Sequence, residues 1–219
     1  MRLYLAIGMV GLAAGSLSLY AQEPDSQAKS APVSEGQGLP PRAAPADYPA
    51  HAKAGAVTIA AELAGHAVPT LEGPLTAEQY VVVEVAFYGA ENARLQLSFH
   101  DFSLRINGKK TPLPGQPYAL VGVKDPEWNP PKPPEKSKTS FGGGGGGESS
   151  DPPPVVKVPL ELQRAMAQRV KKATLAEGDR PLPQAGLVYF SYGGKIESLR
   201  SMELIYSGPA GKATIALQP

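Results

Sequence analysis

His51, His66 and His100 are the only histidines in a chain with no cysteine. A zinc site needs three or four convergent ligands at close spacing, and no two of these histidines have it. His100-Asp101 is the best local acid–base pair. Neighbours on a strand point to opposite faces, so the pair reads as a bend residue beside a hydrogen-bonded neighbour. Nucleophilic catalysis requires a serine or threonine activated by a positioned base. No serine stands in a G-x-S-x-G or S-x-x-K context. Glu84, Glu91, Asp101, Glu197 and Glu203 have no spacing that forces two of them into one cleft. The expectation is a non-enzyme with no catalytic residue, no metal ligand and no cofactor.

Two stretches have the chemistry of recognition instead. Trp128 precedes Pro130, Pro131 and Pro133, a run that favours polyproline II and presents an aromatic side chain to an aromatic-lined groove on a partner. Arg164, Arg169, Lys171 and Lys172 form the most basic surface of an expected helix. They complement the helix dipole there, and they could also hold the chain weakly to anionic lipid. Gly142 to Gly147 lacks the Lys-Ser/Thr of a phosphate loop and reads as a spacer.

The elements that position these residues are mostly strands. Val81, Val83, Val85 and Phe87 make one apolar face of a strand at Tyr80 to Tyr88, while Glu84 interrupts the other. Leu95, Leu97 and Phe99 alternate in odd phase, then Phe102, Leu104 and Ile106 in even phase. A one-residue jump requires a bend near His100 and Asp101. Asn107-Gly108 supplies the positive φ angles of a type I′ turn and predicts a hairpin. Further strands are expected at Val57 to Leu63, Gly186 to Phe190, Met202 to Tyr206 and Ala213 to Leu217. The fold class is mainly β: an immunoglobulin-like antiparallel sandwich of about seven strands, with one inserted amphipathic helix at about 160–175.

Residues 22–52 are rich in Pro, Ala, Ser and Gly and poor in large apolar side chains, so they are expected to form a disordered tether. The sandwich domain is expected over 53–219. A disordered Pro/Gly-rich insertion interrupts it at 125–156 and costs about 3 kcal/mol to close.

Arg2 followed by the apolar run Leu3 to Ala14 has the pattern of a signal peptide ending at Ala21. The expected location is periplasmic or secreted. Without cysteine the product is not a lipoprotein and holds no disulfide. Loss of Arg2 leaves twenty basic against twenty acidic residues, so overall charge gives no argument for nucleic acid. Membrane contact is expected only through an uncleaved leader or the basic helix.

The order Tyr80-Val81-Val82-Val83-Glu84-Val85, Asp101-Phe102-Ser103-Leu104, Gly108-Lys109 and Gly186-Leu187-Val188-Tyr189-Phe190 resembles the telokin-like, immunoglobulin-type domains of secreted bacterial proteins. The resemblance runs from about Ala56 to Leu217. It implies a sandwich fold and an exported setting, and it carries over no functional residue. The chain departs from the pattern in lacking a lipidation cysteine and in its long insertion with an added helix. The functional expectation is a binding or interaction module whose partner is a protein or envelope component. The alternatives are a surface-assembly component and, more distantly, a hydrolase with an unrecognised site.

Overall fold

The computed structural model describes residues 37–128 and 158–218. The expected leader, the tether up to residue 36, Pro130, Pro131, Pro133 and most of the insertion lie outside them. The chain is mainly β. Its main sheet is built from Ala50–Ala54 (β1), Val57–Gly65 (β2), Tyr80–Tyr88 (β5), Phe102–Ile106 (β7), Leu113–Gln116 (β8), Gln184–Ser191 (β10), Met202–Gly208 (β11) and Gly211–Leu217 (β12). Two short ladders join Ala67–Val68 (β3) to Leu75–Thr76 (β4), and Arg94–Leu97 (β6) to Gly178–Pro181 (β9).

The main sheet is antiparallel, with the order β1-β2-β5-β10-β8-β7-β11-β12. It folds over on itself at β8. Leu113 and Pro114 pair with β7, whereas Gly115 and Gln116 pair with β10. Strands that change layer in this way make the corners of sandwiches. Gly115 suits the corner because a Cβ there would lie 2.3 Å from the Phe99 carbonyl oxygen.

The two layers enclose one core. Ile59, Val83, Val85, Phe87, Val188 and Phe190 face Phe102, Leu104, Met202, Leu204, Tyr206 and Ile215. The outermost strands, β1 and β12, approach each other as the layers close. A Cβ at Gly55 would fall 2.5 Å from the Ala210 carbonyl oxygen.

The continuous apolar run of β5 is explained by cover on both faces. Val82 on its outer side joins Leu187 and Tyr189 of β10 and is capped by the helix Leu160–Ala173 (α1) through Met166, Val170 and Ala173. This is the expected helix, shorter by two residues. Its last turn closes through the Thr174 hydroxyl, which donates to the Val170 carbonyl at 2.8 Å, and Leu175 then donates its N–H to Leu187 of β10 at 3.0 Å.

Several boundaries differ from those expected. The sandwich is larger than seven strands, because β1, β3, β4 and β9 have weak apolar signals of their own. The tether does not extend to residue 52. Leu39 bonds to Ala185 at 2.9 Å, Tyr48 is 3% exposed, and β1 begins at Ala50. Tyr48 is seated over Ala60, Ala86 and Ala185, a depression made by small residues elsewhere in the chain. The insertion also starts later, since Lys124 pairs with Thr76 and Asp125 is held by α1.

The bend appears as a 3-10 turn at Phe99–Asp101, capped by Ser98. Asn107 and Gly108 have φ of 50° and 66°, as a type I′ turn requires. Pairing resumes only at Leu104 with Leu113. Pro112 has no N–H to give to a ladder, so the hairpin opens into a wider loop.

Candidate functional site

Trp128, Val158, Leu162 and Met166, with Lys124 and Asp125 at the rim, line a groove of about 320 Å³ between α1 and the segment before the insertion. It continues as a more open trough of about 530 Å³ along Val121, Val123, Val158 and Met166. Leu120 and Leu160, next to Val121 and close to Val158 in sequence, are 61% and 59% exposed.

The wall opposite the helix is positioned by backbone pairing. Thr76 and Lys124 exchange two N–H···O bonds at 2.8 Å, and the Tyr80 hydroxyl donates to the Leu120 carbonyl at 2.8 Å. Trp128 is set by a turn in which its N–H donates to the Asp125 carbonyl at 3.2 Å. The helix wall is set by Met166 and Val170, which are buried against the sheet and leave Leu162 half-buried at the groove.

Arg169 joins the two walls. Its guanidinium donates to Gly73 O at 2.8 Å and Thr70 Oγ1 at 3.3 Å, and it pairs with Asp125 Oδ2 at 3.3 Å and Glu72 Oε2 at 3.6 Å. Lys172 pairs with the same Glu72 at 3.0 Å. This corrects the basic helix surface expected from sequence. Two of its four cations are neutralised by acids from other elements, and Arg169 is only 15% exposed. Arg164 and Lys171 remain without an ion pair among the described residues. At the rim, Lys124 pairs with Glu78 at 2.7 Å and Asp125 with Arg169, so the groove presents apolar surface and little net charge.

Removing the clasp should be costly, because Asp125 is 18% exposed and would lose its cationic partner. Arg169→Ala is expected to destabilise by about 1 to 3 kcal/mol. Urea unfolding followed by Trp128 fluorescence would measure this; a loss below about 0.5 kcal/mol would show that the clasp contributes little.

A polar cluster that the sequence did not reveal lies on the same outer face, under the 37–49 strap. Glu62 and Glu84 stand directly opposite each other on β2 and β5. The Arg42 guanidinium donates to Glu62, lies 3.8 Å from Glu84 and stacks 4.2 Å from the Tyr48 ring centroid. The Tyr48 hydroxyl donates to Glu84 at 3.0 Å. Burial and the neighbouring Glu84 charge hold the Tyr48 hydroxyl well above the usual phenol range. Two carboxylates this close invite acid–base chemistry, yet here they anchor the strap. Only the register of β2 on β5 brings them together, and neither strand alone specifies it.

His100 and Asp101 form part of the 3-10 turn. Ser98 Oγ accepts from the His100 N–H at 3.2 Å and donates to Glu177 at 2.9 Å, while burial pushes the Asp101 carboxyl up. The serine is thus engaged in capping. Among the described residues no three His, Asp or Glu side chains gather as a metal site, and no helix is long and apolar enough to cross a membrane.

The chain matches none of the protein-family models, curated proteins or solved structures with which it was compared.

Proposed function

We propose that the chain is a non-catalytic, exported binding module of telokin-like type, acting in the periplasm or outside the cell. It takes an extended apolar peptide segment of a partner protein in the groove beside α1. The groove itself carries this reading: four apolar side chains from its two walls converge on a space the size of a few side chains, with the rim charges already paired. An apolar ligand loses nothing to unmatched charge there, whereas a charged one would find no free partner. Assembly through sheet edges is less well supported, because β1 and β12 lie against each other.

Trp128 is the only tryptophan, so its emission reports directly on occupancy. Titration with apolar peptides should shift that emission to the blue. Trp128→Ala and Leu162→Ser should each weaken capture of partners from a native envelope fraction by about tenfold or more, as expected for central anchors, with little change in melting temperature. Capture by both variants at the parent level would overturn the groove as the contact surface.

A further inference from the structure

Cations without an ion pair among the described residues include Lys53, Arg164, Lys171 and Lys212, and they are most numerous at one end of the sandwich. Arg42, Arg94, Arg105, Lys124, Arg169 and Lys172 are in ion pairs. Lys109, Lys110, Lys195 and Arg200 are exposed and have no ion pair among the described residues, and all four sit on two loops at one end of the sandwich.

Asn107 joins those loops. Its Nδ2 donates to Ser198 O at 3.1 Å, and its Oδ1 accepts from the N–H of Arg200 at 2.8 Å and of Ser201 at 3.2 Å. Its own N–H donates to Ser201 O at 2.8 Å. Lys195 is tied to the same loop through its carbonyl, which accepts from Ser198 Oγ at 2.6 Å. Glu197 is the one acidic side chain within residues 195–201. The turn at Lys109 and Lys110 and the loop at Lys195 and Arg200 are therefore fixed to each other before any ligand arrives, which lowers the ordering cost of binding.

We infer that this end of the sandwich docks on the phosphate headgroups of an anionic bilayer. None of the strongly exposed large aliphatics, Leu71, Leu120 and Leu160, lies on these loops, so contact is electrostatic without an inserted wedge. Among the described residues no side-chain hydrogen bond draws two of the four cations to a common point. That arrangement suits many phosphates spread over a plane better than one chelated phosphate. It also moves lipid contact away from α1, where the cations are half neutralised. The inference does not depend on the groove.

The test is sedimentation of the full chain with phosphatidylcholine vesicles, with and without phosphatidylglycerol, in low salt. The zwitterionic vesicles read any contribution of the apolar Leu3 to Ala14 run, and the ratio of the two affinities reads the cations. Each cation near an anionic surface contributes about fivefold, so Lys109→Ala/Lys110→Ala should lower the ratio by about 25-fold and Arg200→Ala by about fivefold. Arg164→Ala/Lys171→Ala on the helix should leave it unchanged. Salt at several hundred millimolar should abolish the preference. Equal ratios for parent and sandwich-end variants, or a loss confined to the helix variant, would overturn the assignment. Competition by soluble polyphosphate but no vesicle preference would assign the surface to free phosphate chains and likewise overturn the bilayer.

Discussion

Phe87→Ala is expected to cost about 3 to 5 kcal/mol, the range for emptying an aromatic site in a packed core. Phe87 is fully buried and its ring centroid lies 5.9 Å from Phe102 and 5.7 Å from Tyr206, both edge-on, while those two rings are 5.3 Å apart. One ring comes from the first layer and two from the second, so the trio joins the sheets. Collapse into the cavity is opposed by ladders on both sides, since Phe87 pairs with Ile59 and with Gln184. Domains of this kind are stable by about 5 to 15 kcal/mol, and the variant should approach the lower limit. Equilibrium urea unfolding by circular dichroism would test it. Phe87→Leu should recover most of the loss; a loss below about 1 kcal/mol in the alanine variant would mean the trio does not join the layers as described.

Gly186→Ala should be comparably damaging for a different reason. Gly186 pairs with Val85 in the middle of the sheet, where the chain leaving α1 crosses directly above. A Cβ there would lie 2.4 Å from Leu175 Cα, 2.5 Å from Leu175 N and 3.0 Å from Thr174 C. Those are backbone atoms and cannot rotate aside. Overpacking of this type costs about 1 to 3 kcal/mol and more when main chain must move. Because α1 provides Leu162 and Met166, its displacement should also open the groove, and Trp128 emission should shift to the red in the folded protein. Gly122→Ala, with nothing within 4 Å of the added carbon, is the matched control and should be near neutral. A folded Gly186→Ala protein with parental stability and emission would contradict the close crossing.

Local chemistry explains what could be read from the chain. The valine alternation in Tyr80–Tyr88, the phase jump before Phe102 and the left-handed pair Asn107-Gly108 each state their structure within a few residues. The helix expected at about 160–175 carries Leu162, Met166 and Val170 at helical spacing, so its existence too is a local property. Where the reading failed, the partner was distant in sequence. Tyr48 looked like part of a tether because the alanines beneath it come from three separate strands. Arg169 looked like a free cation because Glu72 and Asp125 approach only after the helix docks. Glu62 and Glu84 became a pair only through strand register. The site divides in the same way. Trp128 was visible as an unusual residue, but its neighbours Leu162 and Met166 counted only as one helix's buried stripe, and nothing in the spacing showed that the two would share a groove.

The closing of the core by β11 and β12 has a kinetic consequence. The second layer takes Met202, Leu204, Tyr206 and Ile215 from the last two strands in chain order, and β7 finds its partner β11 about a hundred positions later. Topologies dominated by such distant pairings fold slowly, on the scale of milliseconds to seconds. Until Met202 onward is present, the inner faces of β5 and β10 are opposed only by β7 and its neighbours, so a growing or truncated chain keeps them partly open to chaperones or to aggregation. This protein therefore acquires its native core only after its final hairpin is made.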